Sequence, residues 1–109
     1  MGKITMKTEM ELEKITQQFI DRYQPEKIFL FGSQAKSSSG RNSDIDLCVI
    51  IEVADKRKLL TDIYLNIVSD LPFDVLLYSP NEWEQCVADR TSFAYQIIKE
   101  GVMLYCPKP

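Results

Sequence analysis

No stretch of this chain approaches the ~18 consecutive apolar residues that cross a bilayer, and its N-terminus lacks an apolar core followed by a cleavage site. Met1-Gly2 is followed at position 6 by Met rather than Ser or Thr, which removes the pattern for N-myristoylation. No membrane partner is therefore expected, and the cytoplasm is the expected location. A surplus of basic charge is missing too: 13 Lys and Arg stand against 16 Asp and Glu, for a net charge of −3. Such a chain has no overall basic field with which to collect a long phosphate backbone, so long nucleic acid is not expected as the main ligand. A small anion such as a nucleotide is still compatible, because metals and local donors can neutralise it. Cysteine is scarce. Cys48, Cys86 and Cys106 are odd in number and far apart, without the paired spacings of zinc sites or disulfide frameworks, and read as reduced, mostly buried thiols. Internal repeats and linkers are absent, and 109 residues suit one modest core, so residues 1–109 are expected to form a single domain.

What is present is the patterning of a globular α/β chain, with 45% hydrophobic and 27% charged residues. Leu12, Ile15, Phe19 and Tyr23 recur at spacings of three and four, an amphipathic helix that ends near Pro25 and begins at a capping-box pattern, Thr8 with Glu11. Lys27 to Phe31 is a short apolar strand running into a Gly32-Ser33 turn. Ser37 to Ser43 is a polar surface loop. Asp44 to Ile51 reads as a central strand, and residues 55–69 as a second amphipathic helix capped by Asp55. Phe73 to Tyr78 is another strand. Ser79-Pro80-Asn81-Glu82 opens a helix carrying Trp83 and Val87. A last helix, Ser92 to Glu100, places Phe93, Ile97 and Ile98 on one side and stops at Gly101 before a short strand, Val102 to Tyr105. Alternating helices and strands predict an α/β (α+β) fold, a small mixed sheet with helices packed on one face.

The chemistry lies in Gly32-Ser33, ten residues, Asp44-Ile45-Asp46, and a lone Asp74 within an apolar strand. Asp is disfavoured in strands, and an ionised carboxylate on a half-buried sheet is costly unless a cation compensates it. Asp44 and Asp46 are two apart, so in a strand they leave the same face with Cα atoms roughly 6.5 Å apart. Asp74 joins them if its strand is a neighbour, with Val75 and Leu77 pointing into the core on the opposite face. Neither strand contains a Lys or Arg. An Asp-x-Asp pair alone is most often a solvated turn, and a single Asp at a strand start is often salt-bridged; the Gly-Ser turn at this spacing favours a metal site instead. Oxygen-only ligands select Mg²⁺, with Mn²⁺ also suitable, and two such ions about 3.5–4 Å apart clamp an in-line displacement at phosphorus. A short helix starting at Ser33 would turn its free N–H groups and hydroxyl toward a triphosphate, with Gly32 permitting close approach and Lys36 and Arg41 reaching the β- and γ-phosphates. Cys48 reads as a small buried hydrophobe, and Tyr64, Tyr78 and Trp83 as core or interface residues.

Gly32-Ser33 through Ser43-Asp44-Ile45-Asp46-Leu47 resembles the signature of the DNA polymerase beta-type nucleotidyltransferases, in particular the minimal nucleotidyltransferase (MNT) branch with its MntA-like antitoxins of HEPN/MNT toxin–antitoxin pairs. The resemblance extends over nearly the whole chain. The turn reads Gly32-Ser33-Gln34-Ala35-Lys36-Ser37 where the family's often reads Gly-Ser-Arg-Ala-Arg-Gly. The resemblance implies a polymerase beta-like fold and metal binding by Asp44, Asp46 and Asp74. It assigns triphosphate contact to Ser33 and activation of the acceptor hydroxyl to Asp74. It also implies transfer of AMP from ATP to a tyrosine of a helical HEPN-family toxin, within a hetero-oligomer of the two. Two other outcomes compatible with the sequence are a non-catalytic antitoxin that acts by binding alone and transfer to a small molecule such as an aminoglycoside.

Overall fold

The computed structural model describes residues 6–32 and 45–107. Its elements follow the predicted order: α1 (Met6–Tyr23), β1 (Lys27–Phe31), β2 (Ile45–Ile50), α2 (Lys56–Asn66), β3 (Phe73–Tyr78), α3 (Pro80–Val87), α4 (Phe93–Glu100) and β4 (Val102–Tyr105). The strands form one mixed sheet in the order β3-β2-β1-β4. β1 is antiparallel to both β2 and β4, whereas β2 and β3 run parallel, joined by the crossover that contains α2. None of the described helices is long and apolar enough to cross a membrane.

The expected small mixed sheet with helices is present, but the helices divide between its two faces instead of sharing one. On one face α1 and α2 bring Leu12, Ile15, Phe19 and Ile63 against Leu30 and Leu47. On the other, α3 and α4 bring Trp83, Ala94 and Ile97 against Phe29, Cys48 and Ile50. The reason is legible in β2, where residues 47 to 50 are all buried, so both sides of the strand need cover. Of the cysteines only Cys48 is buried; Cys86 is half-buried and Cys106 exposed, and all three are free thiols. On α4, Ile97 is buried while Phe93 and Ile98 remain about half exposed.

Local chemistry sets most helix ends. The Asp55 side chain accepts from the Lys58 N–H at 3.1 Å and caps α2. Ser79 and Glu82 form a reciprocal capping box at α3, with Pro80 at its first position. α2 stops at Asn66 rather than continuing to Ser69. The Gln18 side chain of α1 takes up the Val68 backbone there, donating to its carbonyl at 2.7 Å and accepting from its N–H at 2.8 Å. Thr8 lies inside α1 rather than at its cap. Glu11 faces the other way from a capping role: its buried carboxylate accepts from the Asp70 N–H at 3.0 Å and lies 3.5 Å from Lys14 Nζ.

That contact ties α1 to the turn before β3, and the Asp70 N–H, helped by Lys14, holds the Glu11 carboxyl below its ordinary value of 4.5. A depressed folded-state pKa adds stability that is fully present above the unfolded value and disappears as pH falls through the folded one. Glu11→Gln is therefore expected to lower the melting temperature at pH 7 and to flatten the loss of stability below about pH 4.5. Parallel acid limbs for the two proteins in thermal melts between pH 7 and pH 3 would sink this assignment.

Candidate active site

Three strand ends converge at one edge of the sheet. β1 is antiparallel to β2, and β2 is parallel to β3, so the C-terminal end of β1 meets the N-terminal ends of β2 and β3. The register pairs Phe31 with Asp46 and Asp46 with Asp74. Residues directly opposite on neighbouring strands send their side chains to the same face, with backbones roughly 4.8 Å apart. Asp46 and Asp74 thus stand side by side, Asp46 half-buried and Asp74 exposed.

Val75 and Leu77 point to the opposite face, into the α1/α2 core, as the strand alternation predicts. The acids' own face becomes apolar two residues further along, at Cys48 and Leu76. There, burial pushes the Cys48 thiol up to about 12, so it stays neutral and adds no charge beneath the carboxylates.

Gly32 completes this corner. Its φ is +81°, a left-handed conformation that favours glycine, and a Cβ there would lie 2.4 Å from Asp46 Oδ2 and 3.3 Å from its Cγ. Glycine was expected at this position so that phosphate could approach the backbone. The structure adds a second reason, since the turn passes directly over the Asp46 carboxylate. A cleft of ≈ 210 Å³ opens beside it, lined by Phe31, Gly32, Phe93, Gln96 and Gly101 among others. Phe31 and Phe93 meet edge to face there with centroids 5.4 Å apart. Gly101 is extended rather than left-handed. It is required for a different reason: a Cβ would meet the Ile97 and Leu30 carbonyl oxygens at 2.6 and 2.7 Å.

Of the residues expected in the site, Gly32, Asp46 and Asp74 are brought together, and Ser33, Lys36, Arg41 and Asp44 lie outside the described residues. Among the described residues no group of three potential metal ligands assembles, and the carboxylates that the sheet juxtaposes are those of Asp46 and Asp74. Two acids opposite each other on adjacent strands repel unless a cation lies between them. Their all-oxygen donor set, open to solvent on the Asp74 side and roofed by a residue without a side chain, fits a hard divalent cation. Sequence reasoning missed Tyr64 as a neighbour of this site. Its ring stacks on Phe73 with centroids 5.4 Å apart, and its hydroxyl accepts from the Val75 N–H at 2.9 Å. No local signal marks an aromatic residue on a helix as the partner of a distant strand.

The family described as "Polymerase beta, Nucleotidyltransferase" matches residues 13–109. No curated protein matches the chain. Among solved structures, one described as "Crystal structure of the toxin-antitoxin with AMP-PNP" aligns with a TM-score of 0.54 and 24% identity, over 88% of this chain and 73% of that one. That likeness concerns the fold. With the family match spanning the sheet, both acids and the whole of α2, α3 and α4, the chain belongs to the polymerase beta nucleotidyltransferase family.

Proposed function

We propose that this protein transfers AMP from ATP to a hydroxyl of a protein partner, a tyrosine of a HEPN-family toxin, in a Mg²⁺-dependent reaction, and acts as the partner's antitoxin within a hetero-oligomer. The observation that carries this reading is the Asp46–Asp74 pair in register beside the left-handed Gly32 turn. Membership of a nucleotidyltransferase family supports the reaction class. AMP-PNP and the toxin–antitoxin assembly belong to the structural relative. ATP and the toxin partner are carried to this chain as part of the proposal, together with the sequence resemblance to the MNT branch. A cytoplasmic location goes with this reading and with three free thiols.

In this mechanism Asp44, Asp46 and Asp74 hold two divalent cations, Mg²⁺ or Mn²⁺, which when bound supply positive charge against the triphosphate. Gly32 lets the triphosphate lie against the backbone, and the Ser33 hydroxyl donates to it. Lys36 and Arg41 contact the β- and γ-phosphates. Asp74, the exposed member of the pair, faces the acceptor and takes its proton. The acceptor oxygen forms a bond to the α-phosphorus as the bond to the bridging α–β oxygen breaks, and pyrophosphate leaves with that electron pair.

The test is incubation with α-labelled and, separately, γ-labelled ATP, Mg²⁺ and the product of the neighbouring gene. The expected result is label on the partner from α-labelled ATP only, lost in Asp44→Ala/Asp46→Ala. Neutralisation of the partner without label, equal in both proteins, would instead establish an antitoxin that acts by binding alone.

A further inference from the structure

We propose that Tyr64 is a positioning residue for Asp74, gripping the residues on either side of it and so fixing the edge strand against β2. The inference rests on the metal-site reading above. Among the described residues β3 is an outer strand with β2 on one side only, so its outward amides have no described strand to bond. Edge strands are among the first elements to open locally. Asp74 is exposed and has no hydrogen-bond or ion-pair partner among the described residues that would hold it.

What secures this stretch is a side chain from α2. The Tyr64 hydroxyl accepts from the N–H of Val75, and its ring stacks at 27° on that of Phe73. Residues 73 and 75 flank the aspartate. One tyrosine, itself 46% exposed, thereby restrains the backbone immediately before and after the candidate ligand. Burial alone does not account for a ring that is half in solvent; the two contacts to β3 do. Outer-shell groups that orient a ligand commonly change metal affinity by about 10–100-fold when removed.

Tyr64→Phe keeps the stacking and deletes the acceptor. Tyr23→Phe is the matched control, because the Tyr23 hydroxyl donates to Asp62 and so ties α1 to α2 rather than α2 to β3. Binding of Mn²⁺ alone is followed by electron paramagnetic resonance, and exchange of the Val75 amide by NMR. The expected result is that Tyr64→Phe speeds Val75 exchange and weakens Mn²⁺ binding roughly tenfold, while Tyr23→Phe matches the wild type in both. Wild-type Mn²⁺ affinity in Tyr64→Phe, or equal weakening by the two variants, overturns the positioning role and leaves the metal site standing. Failure of the wild type to bind Mn²⁺, or binding unchanged in Asp46→Asn/Asp74→Asn, removes the site itself and the inference with it.

Discussion

Asp46→Asn is expected to lower nucleotidyl transfer by roughly a thousandfold, since charge stabilisation by a bound metal contributes several kcal/mol to the transition state and each 1.36 kcal/mol is tenfold in rate. The substitution keeps the side chain's volume at a half-buried position and removes its charge, so the fold is expected to survive. The stability signature differs from that of a core mutation. Asp46 opposes Asp74 directly, and like charges in that arrangement are destabilising. Added Mg²⁺ or Mn²⁺ should stabilise the wild type by about 2.7 kcal/mol at a hundred times its dissociation constant, and leave the variant unmoved. Thermal melts with and without Mn²⁺, alongside label incorporation, measure both effects. A variant stabilised by Mn²⁺ as much as the wild type would show that Asp46 does not hold the ion.

Gly32→Ala is expected to damage the site strongly, although it removes no functional group. Two penalties coincide. A φ of +81° is strained for any residue with a Cβ, at a cost of about 1–2 kcal/mol. In addition the new methyl would sit 2.4 Å from Asp46 Oδ2, well inside contact distance, so either the turn or the carboxylate must move. Misplacement of a reacting group by about 1 Å costs on the order of 10²-fold in rate. The variant should therefore fold, melt a few degrees lower, and lose roughly a hundredfold in turnover, with weakened Mn²⁺ binding. Retention of wild-type turnover and Mn²⁺ affinity would mean that the Gly32 turn and the Asp46 carboxylate are not coupled.

The order of elements was legible because each rests on local pattern: the spacing of Leu12, Ile15 and Phe19, the capping box at Ser79 and Glu82, the apolar run before Gly32. The end of α2, the role of Glu11 and the layering depend on distant partners. Gln18 terminates α2 by capturing Val68, 50 positions along the chain, and Glu11, patterned as half of a capping box, serves the Asp70 turn instead. The two-sided burial of β2 could have been read from its continuous run Leu47-Cys48-Val49-Ile50, which has no polar face to turn to solvent. At the site, Asp46 and Asp74 stood out as acids in apolar strands, while their pairing depends on a parallel register that only the assembled sheet defines. The role of Gly32 was half legible: the turn was expected, but the carboxylate it crosses belongs to another strand.

The central claim is that Asp46 and Asp74 share a divalent cation. Its most direct measurement is an anomalous difference map from crystals grown with Mn²⁺ and a non-hydrolysable ATP analogue. The account predicts a peak between the two strands, within about 2.0–2.3 Å of one carboxylate oxygen from each residue. Well-ordered carboxylates at both positions with no peak between them, at Mn²⁺ concentrations that saturate the protein in solution, would contradict it.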